Sequence, residues 1–165
     1  MHVLRCADCA AALETVALAV ELRGRGVVGI DLSGNPTLGA FATWQPALAA
    51  ARAAGLPLTL HCGEVDTADE AHPLLLFLVH LRGVCTNSLR MQVRAMLAFA
   101  PERLGHAVSA TCDGELLPEL LRCRIPVELC LTSNVLSQSV PSYGYGQEQR
   151  QRQHRNAPCV SGARC

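Results

Sequence analysis

The chain has 165 residues, half of them apolar and 17% charged, with 14 basic residues against 14 acidic ones. That length and apolar content suit one domain with a sizeable core. The neutral balance excludes a basic stripe for nucleic acid and an acidic tail for a basic partner, and aromatic residues at 4% exclude a base-stacking platform.

The nine cysteines are odd in number and run from Cys6 to Cys165. Several, such as Cys123 and Cys130, sit inside apolar runs, the pattern of reduced cytosolic thiols rather than a secreted framework. Cys6 and Cys9 have the spacing of half a zinc knuckle, but no second pair follows. They are read as incidental thiols near a loose N-terminus. Arg5, Asp8 and Glu14 interrupt any signal-peptide core. The longest apolar run, 73–81, contains His80 and falls far short of the ~20 residues of a membrane span. A soluble protein of the cytosol is expected.

Leu13, Val16, Ala17 and Val20 recur at helical spacing within 10–23, and Gly24 and Gly26 end that helix. The β-branched run 27–32 predicts a buried strand, and Ser33-Gly34-Asn35-Pro36 a turn. An alanine-rich helix over 42–54 stops at Gly55. A strand over 56–61 leads into a polar loop. Helix 93–99, strand 103–106, helix 115–123 and strand 126–131 follow, the last ending in Thr132-Ser133-Asn134. Segment 75–92 breaks the order and reads as an atypical insertion. Residues 144–165 are polar and of low complexity, so the domain is placed at 1–143 and the rest is read as a disordered tail. Strands this apolar, alternating with helices, predict a parallel sheet covered on both faces.

Polar residues gather where the strands end. The end of the first strand delivers Asp31, Ser33 and Gly34, that of the second His61 and Glu64, and that of the third His106. In a parallel α/β barrel these carboxyl ends converge on one face, which holds the active site. An imidazole at a strand end is a common zinc ligand, which makes His61 the metal candidate. Glu64, three residues on, reaches the same pocket as a proton donor, and His106 is placed to take or orient the proton of an attacking water. A lone histidine is more often a hydrogen-bonded structural residue, and a lone loop glutamate is usually solvated. Their recurrence at successive strand ends favours function.

Four stretches in order, 27–36, Leu-His-Cys-Gly-Glu (60–64), Glu-Arg-Leu-Gly-His (102–106) and Glu-Leu-Cys-Leu-Thr-Ser-Asn-Val (128–135), resemble the adenosine deaminase family. The stretch 131–143 is most similar to its adenosine deaminase-like branch, the N6-methyl-AMP deaminases. The resemblance implies a TIM-type (β/α)₈ barrel, present here as about four of the eight strand units, matching the fourth to seventh strands. It implies a Zn²⁺-dependent hydrolase of C–N bonds in cyclic amidines, removing the amine or methylamine at purine C6 of a small nucleotide or nucleoside. By position, His61 matches a zinc ligand, Glu64 the proton donor to the purine ring, His106 the histidine that orients or deprotonates the attacking water, and Gly34 the glycine whose amide holds the purine. Neither nucleic acid nor a membrane is an expected partner.

Departures from the family's pattern set further expectations. The family's His-x-His pair and its paired aspartates have no counterpart here, since no His-x-His occurs and no Asp follows Asp113. Asn35 stands where an acidic residue is usual and Ala107 where glycine is frequent. The chain therefore reads as a truncated or alternatively spliced form, impaired by missing zinc ligands, with open barrel edges able to self-associate. Two readings compete with an active enzyme: an inactive isoform fragment serving at most as an interaction module, and another amidohydrolase on the same barrel.

Overall fold

The computed structural model describes residues 1–5, 8–36, 38–64 and 85–143. The tail 144–165 and most of the predicted insertion, 75–84, lie outside these. The chain divides into two compact units, 1–129 and 130–165.

The first unit is one sheet of five parallel strands in sequential order: β1 (His2–Leu4), β2 (Ile30–Ser33), β3 (Leu58–Cys62), β4 (Arg103–His106) and β5 (Val127–Glu128). Parallel neighbours require long crossovers. Helices provide them: α1 (Cys9–Glu21), α2 (Phe41–Ala53), α3 (Cys85–Ala98), then the short α4 (Val108–Cys112) and α5 (Leu116–Cys123). This is an α/β unit built as the reading of the sequence predicts, with five strands instead of four.

The extra strand is β1. Three residues are too few to show a two-residue period, so the sequence here reads as a loose terminus. Its order comes from tertiary bonds. The Met1 ammonium donates to the Gly29 carbonyl at 3.0 Å, the Asp31 amide donates to the Met1 carbonyl at 2.9 Å, and Val3 is fully buried.

Three predicted boundaries also move. Val27–Gly29 precede the strand rather than forming it, and Val28 is exposed. Strand 126–131 shrinks to β5, and the second unit begins with α6 (Leu131–Leu136), so Thr132, Ser133 and Asn134 lie in a helix and not at a strand end. The Asn134 amide closes the first turn of α6 on the Cys130 carbonyl at 2.9 Å. Finally, α3 begins at Cys85, well inside the predicted insertion. Its basic residues mislead because they form the helix's charged face: Arg90 pairs with Asp113 at 2.7 Å, and Arg94 with Glu119 at 2.8 Å and Glu115 at 3.3 Å.

Side chains in a strand alternate between faces, and here the two faces differ in kind. Val3, Ile30, Leu32, Leu58, Leu60, Cys62 and Leu104 point to the helices, where they join Val16, Trp44, Leu48, Met96 and Leu116 in one core. The parallel register places His2 beside Asp31, Asp31 beside Thr59, and His61 beside Gly105, which neighbours Glu128. These residues share the opposite face, which is polar. Among the described residues the helices pack on the apolar face.

The start of α5 shows how one acidic residue organises a junction. The Asp113 carboxylate accepts from the amides of Glu115 at 2.8 Å and Leu116 at 3.1 Å, while Arg90 donates to its other oxygen. Desolvation alone would raise this carboxyl, but the two amides and the Arg90 guanidinium outweigh it and hold Asp113 below the ordinary carboxylate range. Its contribution is present above the unfolded value and lost as pH falls through the folded one. Asp113→Ala should cost about 1 kcal/mol, the usual loss for a helix cap, read as a lower urea midpoint at pH 7. The gap between variant and parent should close in acid, where the parent's carboxylate is protonated.

Candidate active site

The site lies where β2, β3 and β4 end. Glycine opens each turn that follows β2 and β3. Gly34 leaves β2 at φ +108° with its would-be Cβ 3.2 Å from the Arg5 amide nitrogen, and Gly63 leaves β3 at φ +57° against Ser109 Oγ. A side chain is unfavourable at both positions. The turn after β3 delivers Glu64, whose Oε2 lies 3.4 Å from His106 Nε2.

His106 and Ala107 both adopt the left-handed conformation, at φ 61° and 54°. This is costly for residues with a Cβ. It is held in place because the Ala107 amide bonds the Cys62 carbonyl at 2.8 Å, and His106 is buried. The result tucks the His106 imidazole beside that of His61, with ring centroids 5.1 Å apart and planes at 66°.

His61 lies across β4. A Cβ on Gly105 would sit 2.6 Å from two atoms of the His61 ring. With glycine there, His61 Nε2 reaches carboxylates on both sides: Asp31 Oδ1 at 3.4 Å and Glu128 Oε2 at 3.8 Å. The same carboxylates bind outward. Asp31 Oδ2 pairs with His2 Nδ1 at 3.1 Å and Glu128 Oε1 with Arg103 at 2.9 Å. A row of alternating basic and acidic side chains thus crosses the polar face from His2 to Arg103. Contact with Asp31, aided by the charges of Glu128 and Glu64, raises the His61 pKa despite desolvation.

The sequence-predicted residues fall as follows. His61, Glu64 and His106 come together through the contacts above. Gly34 joins them indirectly, because Arg5 packs its backbone on Gly34 and donates from Nη2 to the His61 carbonyl. Sequence reasoning missed Arg5, Glu128, Gly105 and the pairing of Asp31 with His61. Strand alternation signals Asp31 and Glu128, since each falls on the parity of His61 once the register is known. Arg5 gives no such signal. Cys62 faces the core and burial pushes its thiol up to about 12, against the pull of Arg5. It is a packing residue, not a thiolate ligand.

The donors around His61 Nε2 fit a borderline divalent cation. They are nitrogen and oxygen, the set that zinc accepts, and Asp31 Oδ1 is buried without a hydrogen bond. A buried carboxylate oxygen with no hydrogen bond, 3.4 Å from an imidazole nitrogen, is what a cation would satisfy.

An all-parallel βα sheet with imidazoles and carboxylates at its carboxyl ends is the arrangement of a (β/α)-barrel active site. Comparison with known proteins makes this specific. Residues 86–144 match the model of the adenosine deaminase family, a match that covers most of α3. An N6-mAMP deaminase of Arabidopsis thaliana is 44% identical over 131 residues, 79% of this chain and 30% of the relative. An adenosine deaminase-like protein of Drosophila melanogaster is 40% identical over 132 residues, 78% of this chain and 32% of the relative. An Arabidopsis ADAL complexed with IMP superposes with a TM-score of 0.69 at 38% identity, covering 92% of this chain and 38% of that one. The chain belongs to the adenosine deaminase family, as part of its TIM-type barrel. It spans about a third of the length of the curated relatives it matches.

Two outcomes test this geometry. In the metal-free chain, the His61 ring should titrate above 6.5 by proton NMR and drop toward that value in Asp31→Asn. The stabilisation from the pair is full below the unfolded value and fades as pH rises through the folded one. A His61 midpoint unmoved by Asp31→Asn would reject the pairing. Gly105→Ala should push the His61 ring off β4, at a cost of roughly 1–3 kcal/mol for overpacking, and should shift the ring resonances of both His61 and His106.

Proposed function

We propose that the protein these strands belong to is a zinc-dependent purine aminohydrolase, removing the amine or methylamine at purine C6, with N6-methyl-AMP as the preferred substrate class. The observation that carries this is the grouping of Glu64, His106 and His61 at one strand-end face. The names of the relatives at 44% and 39% identity, N6-mAMP deaminase in Arabidopsis and N6-methyl-AMP deaminase in Homo sapiens, support the substrate class. So do the neighbouring structures, complexed with IMP and with GMP.

Hydrolysis at C6 needs a proton removed from water and another given to a ring nitrogen. His106 and Glu64, 3.4 Å apart, form an acid–base pair that can take at one atom and give at the other. His106 takes the proton of the attacking water, and Glu64 protonates the purine ring as C6 becomes tetrahedral. The C6–N bond then breaks as the amine or methylamine leaves with the proton from His106, and Glu64 recovers a proton from the C6 hydroxyl as that hydroxyl becomes a carbonyl. The backbone of Gly34, free of a side chain, lets the ring approach. His61, steadied by Asp31 and Glu128, would hold the metal. When bound, zinc makes water nucleophilic at neutral pH.

A catalytic zinc normally has three protein ligands, and the sequence offers no His-x-His to accompany His61. We therefore propose that the 165-residue chain on its own does not turn over. The cytosol is the proposed compartment, supported by the free thiols of Cys9, Cys62, Cys123 and Cys130. Among the described residues no helix is long and apolar enough to cross a membrane.

The chain alone, supplied with zinc, should release neither ammonia from AMP nor methylamine from N6-methyl-AMP. A chimera of the Arabidopsis relative carrying residues 10–143 of this chain should release methylamine. In that chimera Glu64→Gln should lower kcat by at least about a hundredfold, the scale of a lost general acid. A folded, zinc-loaded chimera with no turnover, or one indifferent to Glu64→Gln, would reject the proposal.

A further inference from the structure

Arg5 follows β1 directly and is only 5% exposed. A guanidinium is expensive to bury without partners, and no ion pair within 4.0 Å compensates it among the described residues. Instead Nη2 donates to the His61 carbonyl and Nη1 to the Pro36 carbonyl at 3.4 Å. Nε is buried and has no hydrogen-bond partner. Burial pulls the guanidinium pKa down, and the nearby Cys62 and Glu64 oppose that pull.

The reason for the His61 contact lies in the ladder. Successive carbonyls of a strand point to opposite sides. The Cys62 carbonyl points to β4, where it accepts from Ala107. The His61 carbonyl therefore points the other way, toward β2. There the pairing of β2 with β3 ends at Leu32 and Leu60, because Gly34 turns the chain out of the sheet. No β2 amide reaches the His61 carbonyl. Arg5, anchored by its own amide on the Ser33 carbonyl at 2.9 Å, extends across the gap and donates in place of the missing ladder bond.

We propose that Arg5 is a positioning residue for the active site. It fixes the backbone of His61 from two strands away, and so sets where the imidazole lies between Asp31 and Glu128. It also closes the β2 turn on Pro36 and puts a fixed positive charge beside Glu64. Arg5 touches no reacting atom and acts through His61 and the turn that presents Gly34. The inference rests on the site assignment above, but its test reads geometry rather than turnover.

The control is Arg52, which makes the same kind of bond at the other end of the sheet, donating to the carbonyls of Phe99 and Ala100 while lying 4.3 Å over the Phe99 ring. In the 165-residue chain, Arg5→Met should move the carbonyl carbon resonance of His61 upfield and shift the ring signals of His61 and His106. Arg5→Lys, with one ammonium able to reach one carbonyl, should restore part of both shifts. Arg52→Met should lower the unfolding midpoint comparably and leave the His61 ring signals in place. Should Arg5→Met fail to fold, the parent chain still decides the matter. Its Arg5 Nη protons should exchange slowly and show scalar coupling through the hydrogen bond to the His61 carbonyl. Fast-exchanging Arg5 protons, or ring signals that respond equally to Arg52→Met, would overturn the assignment. An inactive chimera alongside slow Arg5 protons would instead count against the proposed reaction and leave the positioning role standing.

Discussion

The His61 imidazole rests over a residue without a side chain, and the rest of the site depends on that vacancy at Gly105. Strand pairing puts Gly105 directly beside His61 and Glu128 directly beside Gly105. A methyl group there would meet the ring at 2.6 Å. Because it is absent, one imidazole nitrogen spans the distance from Asp31 on β2 to Glu128 on β5. The alternation of strand side chains sends Leu60 and Leu104 to the helices and leaves this row on the polar face. Packing of the core and placement of the site are thus two consequences of one register.

The backbone around His106 shows the cost of bringing the second imidazole in. Two successive residues with side chains adopt left-handed angles, at an expense on the order of 1–2 kcal/mol each. Glycine at 107 would relieve half of that. Ala107 keeps the turn through its bond to Cys62 and through its own burial. Strain that is over-determined by its surroundings is typical of sites that must hold a side chain in one place. The burden falls on β3 and β4, and β3 sends Leu58, Leu60 and Cys62 into the core.

Much of this was legible in the sequence. Helical periodicity places α1 and α2 within a few residues, and the runs ending at His61 and His106 mark β3 and β4. The strand-end rule then singles out His61, Glu64 and His106, and the structure sets the first two against His106. What escaped has physical causes. Strand β1 is three residues long and is ordered by bonds to Gly29, Asp31 and Ser33, all distant in sequence. Arg5 looks like a stray surface charge until the β2–β3 ladder is seen to end one bond short. Arg90 and Arg94 read as a break in pattern because their acidic partners lie about 20 residues further on, beyond the reach of any local window. Glu128 acquires meaning only once the register sets it beside Gly105 and on the parity of His61.

The charge row on the polar face also bears on what this unit can do by itself. Exposed ion pairs in water contribute little, commonly below about 1 kcal/mol. The His2–Asp31 and Arg103–Glu128 pairs are of this kind, with His2 and Arg103 more than half exposed. They satisfy the carboxylates without fixing them strongly. Covering this face, whether by further strands of a barrel or by a second copy docked through the β1 or β5 edge, would lower the local dielectric and strengthen every pair in the row. His61 would then feel Asp31 and Glu128 more sharply, and Asp31 Oδ1, whose approach from His61 is a long 3.4 Å, would gain from a closer partner. A cation at His61 is such a partner and also offsets the two carboxylates. Enclosure and metal binding therefore reinforce each other.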